Sequence, residues 1–276
     1  MPELPEVETV CRGISPSLEG RLIKNVLVRN RGLRQKIPTS FEKTVAGKRV
    51  IRVLRRAKYI IINLEENWSI IWHLGMSGRV TVTSKTKPVF EKHDHVIFEV
   101  EGPTWVVYND TRRFGLMLLC KTDELESHKL MASIGPEPLS NDFNALVLEN
   151  NLSGKKTSIK QALLDQRVVA GVGNIYACEA LFMSKINPKQ LAGEVPIKKL
   201  ETLTVAIREV LLAAIEAGGS TLKDHAQVNG ELGYFQHSFK TYGREGEKCV
   251  AKNCSGVIEK IVQSGRSTFY CPKCQK

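Results

Sequence analysis

The sequence predicts an α+β protein: an N-terminal helix, an antiparallel β-sandwich, and a helical second half ending in a small cysteine-bound β-hairpin. Three observations lead there. Apolar residues recur at helical spacing at the start, short β-branched runs follow without intervening helices, and four of seven cysteines crowd the last 28 residues.

Leu4, Val7, Val10, Cys11 and Ile14 share one helical face, and Pro16 with Gly20 closes that pattern. Strands are expected at Val50–Leu54, Tyr59–Leu64, Ser69–Leu74, Val96–Val100 and Trp105–Tyr108. Turn signals such as Glu65-Glu66-Asn67 and Glu101-Gly102-Pro103 separate them, so the sheet is antiparallel, a sandwich or a barrel. At Gly135-Pro136-Glu137-Pro138 the character changes. Helices are expected at Phe143–Leu152, Ser158–Leu164, Ile175–Met183 and Pro196–Ala217. In the last, Leu200, Leu203, Ile207, Val210, Leu211 and Ala214 form one stripe, and Gly218-Gly219 ends it. Residues 220–247 lack periodicity and read as a mobile loop and linker. The expected domains are 1–135, 136–240 and 241–276.

Forty Lys+Arg against 29 Asp+Glu give a net charge of +11. Between Arg21 and Lys58 stand 13 basic residues and one acid, Glu42. Such a surplus is a solvated face or a surface for a polyanion, nucleic acid or anionic membrane. The membrane reading is the weaker, because no apolar run approaches the roughly 18 residues of a spanning helix. Glu3, Glu6 and Glu8 leave no basic region for a secretory signal, so a reducing cytosol is expected. An odd number of cysteines argues against a disulfide framework there, and Cys11, Cys120 and Cys178 read as core residues.

Cys249, Cys254, Cys271 and Cys274 have the spacing C-x4-C-x16-C-x2-C, two close pairs able to converge on one tetrahedral zinc ion. The intervening Val257, Ile258, Ile261, Val262, Ser267, Thr268, Phe269 and Tyr270 read as a β-hairpin. So small a unit has little core, and the metal supplies its stability. Lys252, Lys260, Arg266, Lys273 and Lys276 make it basic, which suits phosphate.

The chain starts Met1-Pro2-Glu3-Leu4-Pro5-Glu6. Loss of Met1 would expose a secondary amine, of which roughly a tenth is neutral at pH 7. Condensing with a sugar aldehyde, it gives a cationic iminium that draws electrons from the neighbouring carbon. Glu3 and Glu6 fall on one helical face beside that amine, or merely complement the helix dipole.

These residues do not stand alone. The Pro2–Thr9 start, Arg55-Arg56-Ala57-Lys58-Tyr59, His73-Leu74-Gly75-Met76-Ser77-Gly78 and Lys92-His93-Asp94-His95 occur in order. Asp110-Thr111-Arg112-Arg113-Phe114-Gly115, Gly171-Val172-Gly173-Asn174-Ile175-Tyr176 and the terminal cysteines follow. From end to end the chain resembles the bacterial formamidopyrimidine-DNA glycosylases. It departs from them twice: the first zinc knuckle is x4 where x2 is common, and Asp-Thr precedes Arg112 where Asp-Pro is usual.

The resemblance implies a repair enzyme that removes oxidised purines from duplex DNA, preferably opposite cytosine, and cuts the strand. Pro2 would be the nucleophile, Glu3 the general acid and Glu6 the residue orienting the amine. Lys58 and Arg266 would assist successive eliminations, with Arg266 acting mainly as an electrostatic stabiliser. Met76, Arg112 and Phe114 would fill the gap left by the extruded nucleotide, although a methionine and a phenylalanine are equally at home in a core. Asn174, at a helix N-terminus in a helix–two-turn–helix element, would hold flanking phosphates with Lys58, His73 and Arg266. His93 and Lys156 would add backbone contacts. Thr221–Tyr242 would be the lid over the everted base, hinged near Tyr242. One structural zinc, a monomer and a nucleoid-associated cytoplasmic location complete the expectation. Two rivals remain: an oxidised-pyrimidine glycosylase of the same superfamily, and a catalytically silent zinc-finger DNA-binding protein, which the chain becomes if Met1 is retained and the Pro2 nitrogen stays an amide.

Overall fold

A computed structural model describes residues 2–220, 228 and 233–276. They group into two compact units, Met1–Ala132 with Ala217–Tyr234, and Ser133–Glu216 with Phe235–Lys276.

The first unit opens with α1 (Leu4–Leu18), whose Leu4, Val7, Val10, Ile14 and Leu18 are buried as the spacing predicts. The helix does not stop at Pro16; it runs on to Leu18. A proline in the last turn removes one donor, while Glu19 N–H still bonds Ser15 O, and Gly20 in the left-handed region turns the chain away.

Two four-stranded antiparallel sheets follow. One has the order β2 (Val50–Arg56), β3 (Tyr59–Leu64), β4 (Trp68–His73), β8 (Leu116–Lys121); the other runs β1 (Ile23–Val28), β6 (Asp94–Val100), β7 (Thr104–Asn109), β5 (Arg79–Ser84). β1, β5, β8 and the short α2 (Phe41–Val45) are absent from the sequence expectation, whose five strands are all present. Ile60, Ile62, Ile70 and Trp72 share one core with Val80, Val96, Phe98, Val106 and Tyr108, and α1 seals it. A register shift between Asp94 and Val96 breaks the alternation of β6, so Asp94 and His95 are both buried.

The second unit carries α3 (Ala145–Leu152), α4 (Ile159–Leu164), α5 (Asn174–Met183) and α6 (Ile197–Glu216), then the hairpin β9 (Glu259–Gln263) and β10 (Arg266–Tyr270). Asn144 and Ser158 cap α3 and α4 with their side chains. The predicted α6 stripe is buried throughout, and α5 is buried from Ile175 to Phe182. Among the described residues no helix is long and apolar enough to cross a membrane.

Candidate functional site

In the first unit the start of α1 is buried, with Glu3 and Glu6 3% and 2% exposed. Glu6 Oε2 accepts the Glu3 amide at 2.8 Å, one arm of a capping box. Its other oxygen accepts both the amide (2.9 Å) and the hydroxyl (3.0 Å) of Ser220. Gly219 allows this approach: φ is +83°, and a Cβ there would stand 3.2 Å from the Glu6 side chain. Ser220 pairs with Tyr234, and Tyr234 N–H bonds Ala217 O, so the chain just before the expected lid is tied to a residue within it. The lid's residues 221–227 and 229–232, and Met1, lie outside the described residues.

Lys58 and His73 are brought together by strand pairing. The turn at Ala57 (φ 52°) joins β2 to β3, and Tyr59 faces His73 in the β3–β4 register, their rings 5.0 Å apart. His73 Nδ1 accepts the Gly75 amide at 2.9 Å, which leaves Nε2 to carry the proton and donate. Burial first, then the charges of Lys58 and Arg34, hold the imidazole down to about 4, so it is a neutral donor at physiological pH.

Met76, Arg112 and Phe114 lie on two loops that are bound into one piece. Asp110, fully buried, accepts Ser77 Oγ at 2.6 Å, Tyr108 OH at 3.1 Å and Gly115 N–H at 2.9 Å. Ser77 Oγ also accepts the Arg112 amide at 3.0 Å, and His95 Nε2 donates to Asp110 O at 2.7 Å. A Cβ on Gly75 would lie 2.4 Å from the Phe114–Gly115 backbone, so this crossing needs glycine. The Arg112 guanidinium stacks 4.8 Å above the Phe114 ring, and Phe114 is 46% exposed. An aromatic ring held outward by so rigid a base is not a core residue. His93 is half-buried, its ring 6.2 Å from His95.

The second unit gathers another group. Asn174, the first residue of α5, donates Nδ2 to Ser267 O at 2.9 Å. Lys160, fully buried and missed by sequence reasoning, donates to the same carbonyl at 3.4 Å. Gln263 Nε2 bonds Ser158 Oγ and Pro188 O, so the hairpin is tied down on either side of its Ser264-Gly265 turn and Arg266 is carried beside Asn174. Tyr242 meets Phe269 of β10 edge-on, ring centroids 5.0 Å apart, and its amide is one of three accepted by buried Glu179. Lys156 stands exposed between α3 and α4 and makes no hydrogen bond or ion pair among the described residues.

The four cysteines converge, their sulfur atoms all within 4.8 Å of one another. Cys249–Cys274 and Cys254–Cys271 stand 3.8 and 3.7 Å apart, against about 3.8 Å for the edge of a tetrahedron with metal–sulfur bonds of about 2.3 Å. The Ala251 and Gly256 amides point at Cys249 and Cys254 Sγ, as second-sphere donors to thiolates do. Burial pushes the Cys249 and Cys274 thiols up while the Gly256 amide holds Cys254 down, and four thiolates this close repel one another unless a cation lies between them. The residues fit a structural metal, closed to substrate.

Three family models match the chain: a formamidopyrimidine-DNA glycosylase N-terminal domain over residues 1–117, its H2TH domain over 134–226, and a zinc finger found in that glycosylase and an isoleucyl-tRNA synthetase over 246–276. Formamidopyrimidine-DNA glycosylases of Cereibacter sphaeroides and Azorhizobium caulinodans are 51% and 48% identical over the whole of both chains. The chain belongs to the formamidopyrimidine-DNA glycosylase family. It is a base-excision-repair DNA glycosylase of a glycosylase/lyase family, with the expected α+β fold of antiparallel sheets, helical domain and zinc finger. Among solved structures, a Lactococcus lactis glycosylase mutant bound to Fapy-dG DNA is 34% identical with a TM-score of 0.91 over all of both chains. The Thermus thermophilus MutM protein is 36% identical with a TM-score of 0.87, over 99% of this chain and 98% of its own.

Proposed function

We propose that this glycosylase removes oxidised purines, 8-oxoguanine and formamidopyrimidines, from duplex DNA opposite cytosine, and then cuts the strand. Pro2 nitrogen attacks C1′ of the lesion nucleotide and the base departs. The deoxyribose ring opens with a proton from Glu3, leaving an iminium on Pro2. β-Elimination releases the 3′ phosphate with help from Lys58; δ-elimination releases the 5′ phosphate, whose charge Arg266 stabilises. The observation that carries this reading is the buried first turn of α1. Both oxygens of Glu6 are engaged, by Glu3 N and Ser220, which suits an orienting role; Glu3, buried beside it as the N-cap of α1, is the general acid in this reading.

In this reading His73, Asn174, His93 and Lys156 hold phosphates, and Met76, Arg112 and Phe114 fill the vacated stack. Functionally the chain divides into a catalytic domain (1–135), a DNA-binding domain with the lesion loop (136–240), and a finger segment (241–276) that begins at the Tyr242 hinge and holds one Zn2+. It acts as a monomer in the bacterial cytoplasm, associated with the nucleoid. Support for a damaged-DNA substrate comes from the Lactococcus lactis relatives, solved with Fapy-dG and with abasic-site DNA. One relative was also solved with oxidised-pyrimidine DNA, which favours a second, weaker substrate class here.

The test is intact mass plus borohydride trapping on 8-oxoguanine and thymine glycol duplexes. The expected result is an adduct on a chain lacking Met1, preference for 8-oxoguanine, and loss of base excision in Glu3→Gln. An adduct that survives blocking of the amino terminus would transfer the nucleophile to a lysine, Lys58 first. Tight binding to abasic analogues with no adduct would leave a silent DNA binder.

A further inference from the structure

The second unit carries a groove of about 400 Å³ between the start of α3 and the middle of α6 that none of the proposed chemistry uses. Its floor is apolar. Phe143 and Thr204 are buried beneath it, while Leu146 and Val205 stand 65% and 54% exposed on its walls. Leu212, 50% exposed, continues the α6 wall two turns beyond Val205. Large apolar side chains gathered this way mark an interaction surface.

The groove is preformed. Arg208 reaches across it and donates to three carbonyls of the preceding loop: Pro138 O at 3.1 Å, Ser140 O at 2.8 Å, and Phe143 O. These bonds fix residues 138–143 against α6, so the walls cannot collapse on each other. They also commit the groove's one lining cation to the protein's own backbone.

The rim has the wrong sign for DNA. Glu201, Val205 and Glu209 succeed one another at four-residue spacing along α6, and Glu216 extends the row past Leu212. Asp142 and Glu149 are exposed on the facing loop and on α3, against a single exposed lysine, Lys198, at the start of the row. In a chain of net charge +11 this is a local acidic field, and nucleic-acid binding does not account for it.

We propose that this groove docks a partner protein through a cationic amphipathic helix, with one or two large apolar side chains seated over Leu146 and Val205 and lysines or arginines meeting Glu201, Glu209 and Asp142. Apolar anchors give the affinity; the acidic rim selects the basic partner and turns DNA away. A groove of this size holds only a few side chains, so the contact is a weak, exchangeable one.

The test uses the full-length, zinc-loaded protein and a short synthetic helix carrying two leucines one turn apart among lysines, beside its glutamate counterpart. Backbone and methyl NMR shifts should move around Ala145, Leu146, Glu201 and Val205 with the lysine peptide and not with the glutamate one. Glu201→Lys should weaken binding about 3- to 10-fold, and Leu146→Asp more than about 10-fold. Both side chains are exposed, so melting temperature and excision of 8-oxoguanine should stay at the parent's values. Equal binding of the two peptides, shifts mapping elsewhere, or undiminished binding by Leu146→Asp would each overturn the proposal. So would a self-association in sedimentation that Leu146→Asp abolishes, making the groove a self-interface, or a loss of DNA affinity in Glu201→Lys.

Discussion

Glu179→Gln exchanges one oxygen for an NH2 group at a site where, among the described residues, three backbone amides are the donors. Glu179 is 1% exposed; Oε1 accepts Thr241 N–H at 2.9 Å and Tyr242 N–H at 2.7 Å, and Oε2 accepts Lys240 N–H at 2.9 Å. Burial raises the carboxyl above its usual range, with those amides and the Lys240 charge opposing. A folded pKa raised above the unfolded one means that the ionised group costs stability once the pH passes it, so the anion is kept for what it orders. The glutamine oxygen will stay on the side with two donors. Lys240 N–H then faces a donor and loses a charge-assisted bond of about 1.5–3 kcal/mol, while the other two bonds lose about half their strength. Removing a buried charge offsets much of this globally. The expected outcome is therefore local: amide exchange at Lys240 speeds up about 10- to 100-fold, Tyr242 less, and global stability moves by under about 1 kcal/mol. Hydrogen exchange read by NMR, beside a urea unfolding curve, separates these quantities. Unchanged protection at Lys240, or a global loss matching the local one, would refute the reasoning.

Three further outcomes follow from the same geometry. His73 should titrate near 4 in an NMR pH series, with Nε2 protonated above that; its folded pKa lies below the unfolded 6.5, so stability rises with pH between about 4 and 6.5, by at most about 2 kcal/mol for a half-buried ring, and a midpoint above 6 would contradict the Gly75 bond. Asp110→Ala strands three donors at about 1 kcal/mol or more each, so the melting temperature should drop by about 5–10 °C and the Arg112 loop should become mobile; a drop under about 2 °C would mean that water replaces the carboxylate. Chelation should release one zinc per chain and erase exchange protection across Glu259–Tyr270, while the β-sandwich amides keep theirs; a protected hairpin without metal would show that its apolar contacts suffice.

Where one residue pattern decided an element, the sequence was readable. Tyr59–Leu64 and the α6 stripe follow directly from periodicity, and the cysteine spacing located the metal cluster. β1 was not visible because its register shifts between Ile23 and Asn25, and the burial order of Ile23–Val28 is therefore not alternating. β5 alternates only weakly, through threonines, and its role as an edge strand beside β7 is a long-range fact. Pro16 misled for a related reason: a breaker counts fully in a helix interior, and in a last turn it forfeits one bond.

The site divides along a similar line. Residues that face outward, such as Arg112 and Phe114, and the helix-start Asn174 belong to motifs that can be quoted from the sequence. Those that hold them in place, Glu179, Lys160, Ser77 and Ser220, bond chiefly to backbone atoms or to residues far away in the chain. A backbone amide has no identity in the sequence, so an acid that recognises three of them leaves no partner to pair it with. Composition offers one remaining cue: a glutamate within the otherwise apolar run Ile175–Met183 has to be satisfied by something once α5 is buried. Glu179 meets that requirement with the segment ending at Tyr242, and in doing so fixes the ring that packs edge-on against Phe269, the residue next but one to the Ser267 carbonyl shared by Asn174 and Lys160. A buried charge in the helix core and the order of the exposed contact residues are thus one constraint, which is why neither is legible without the other.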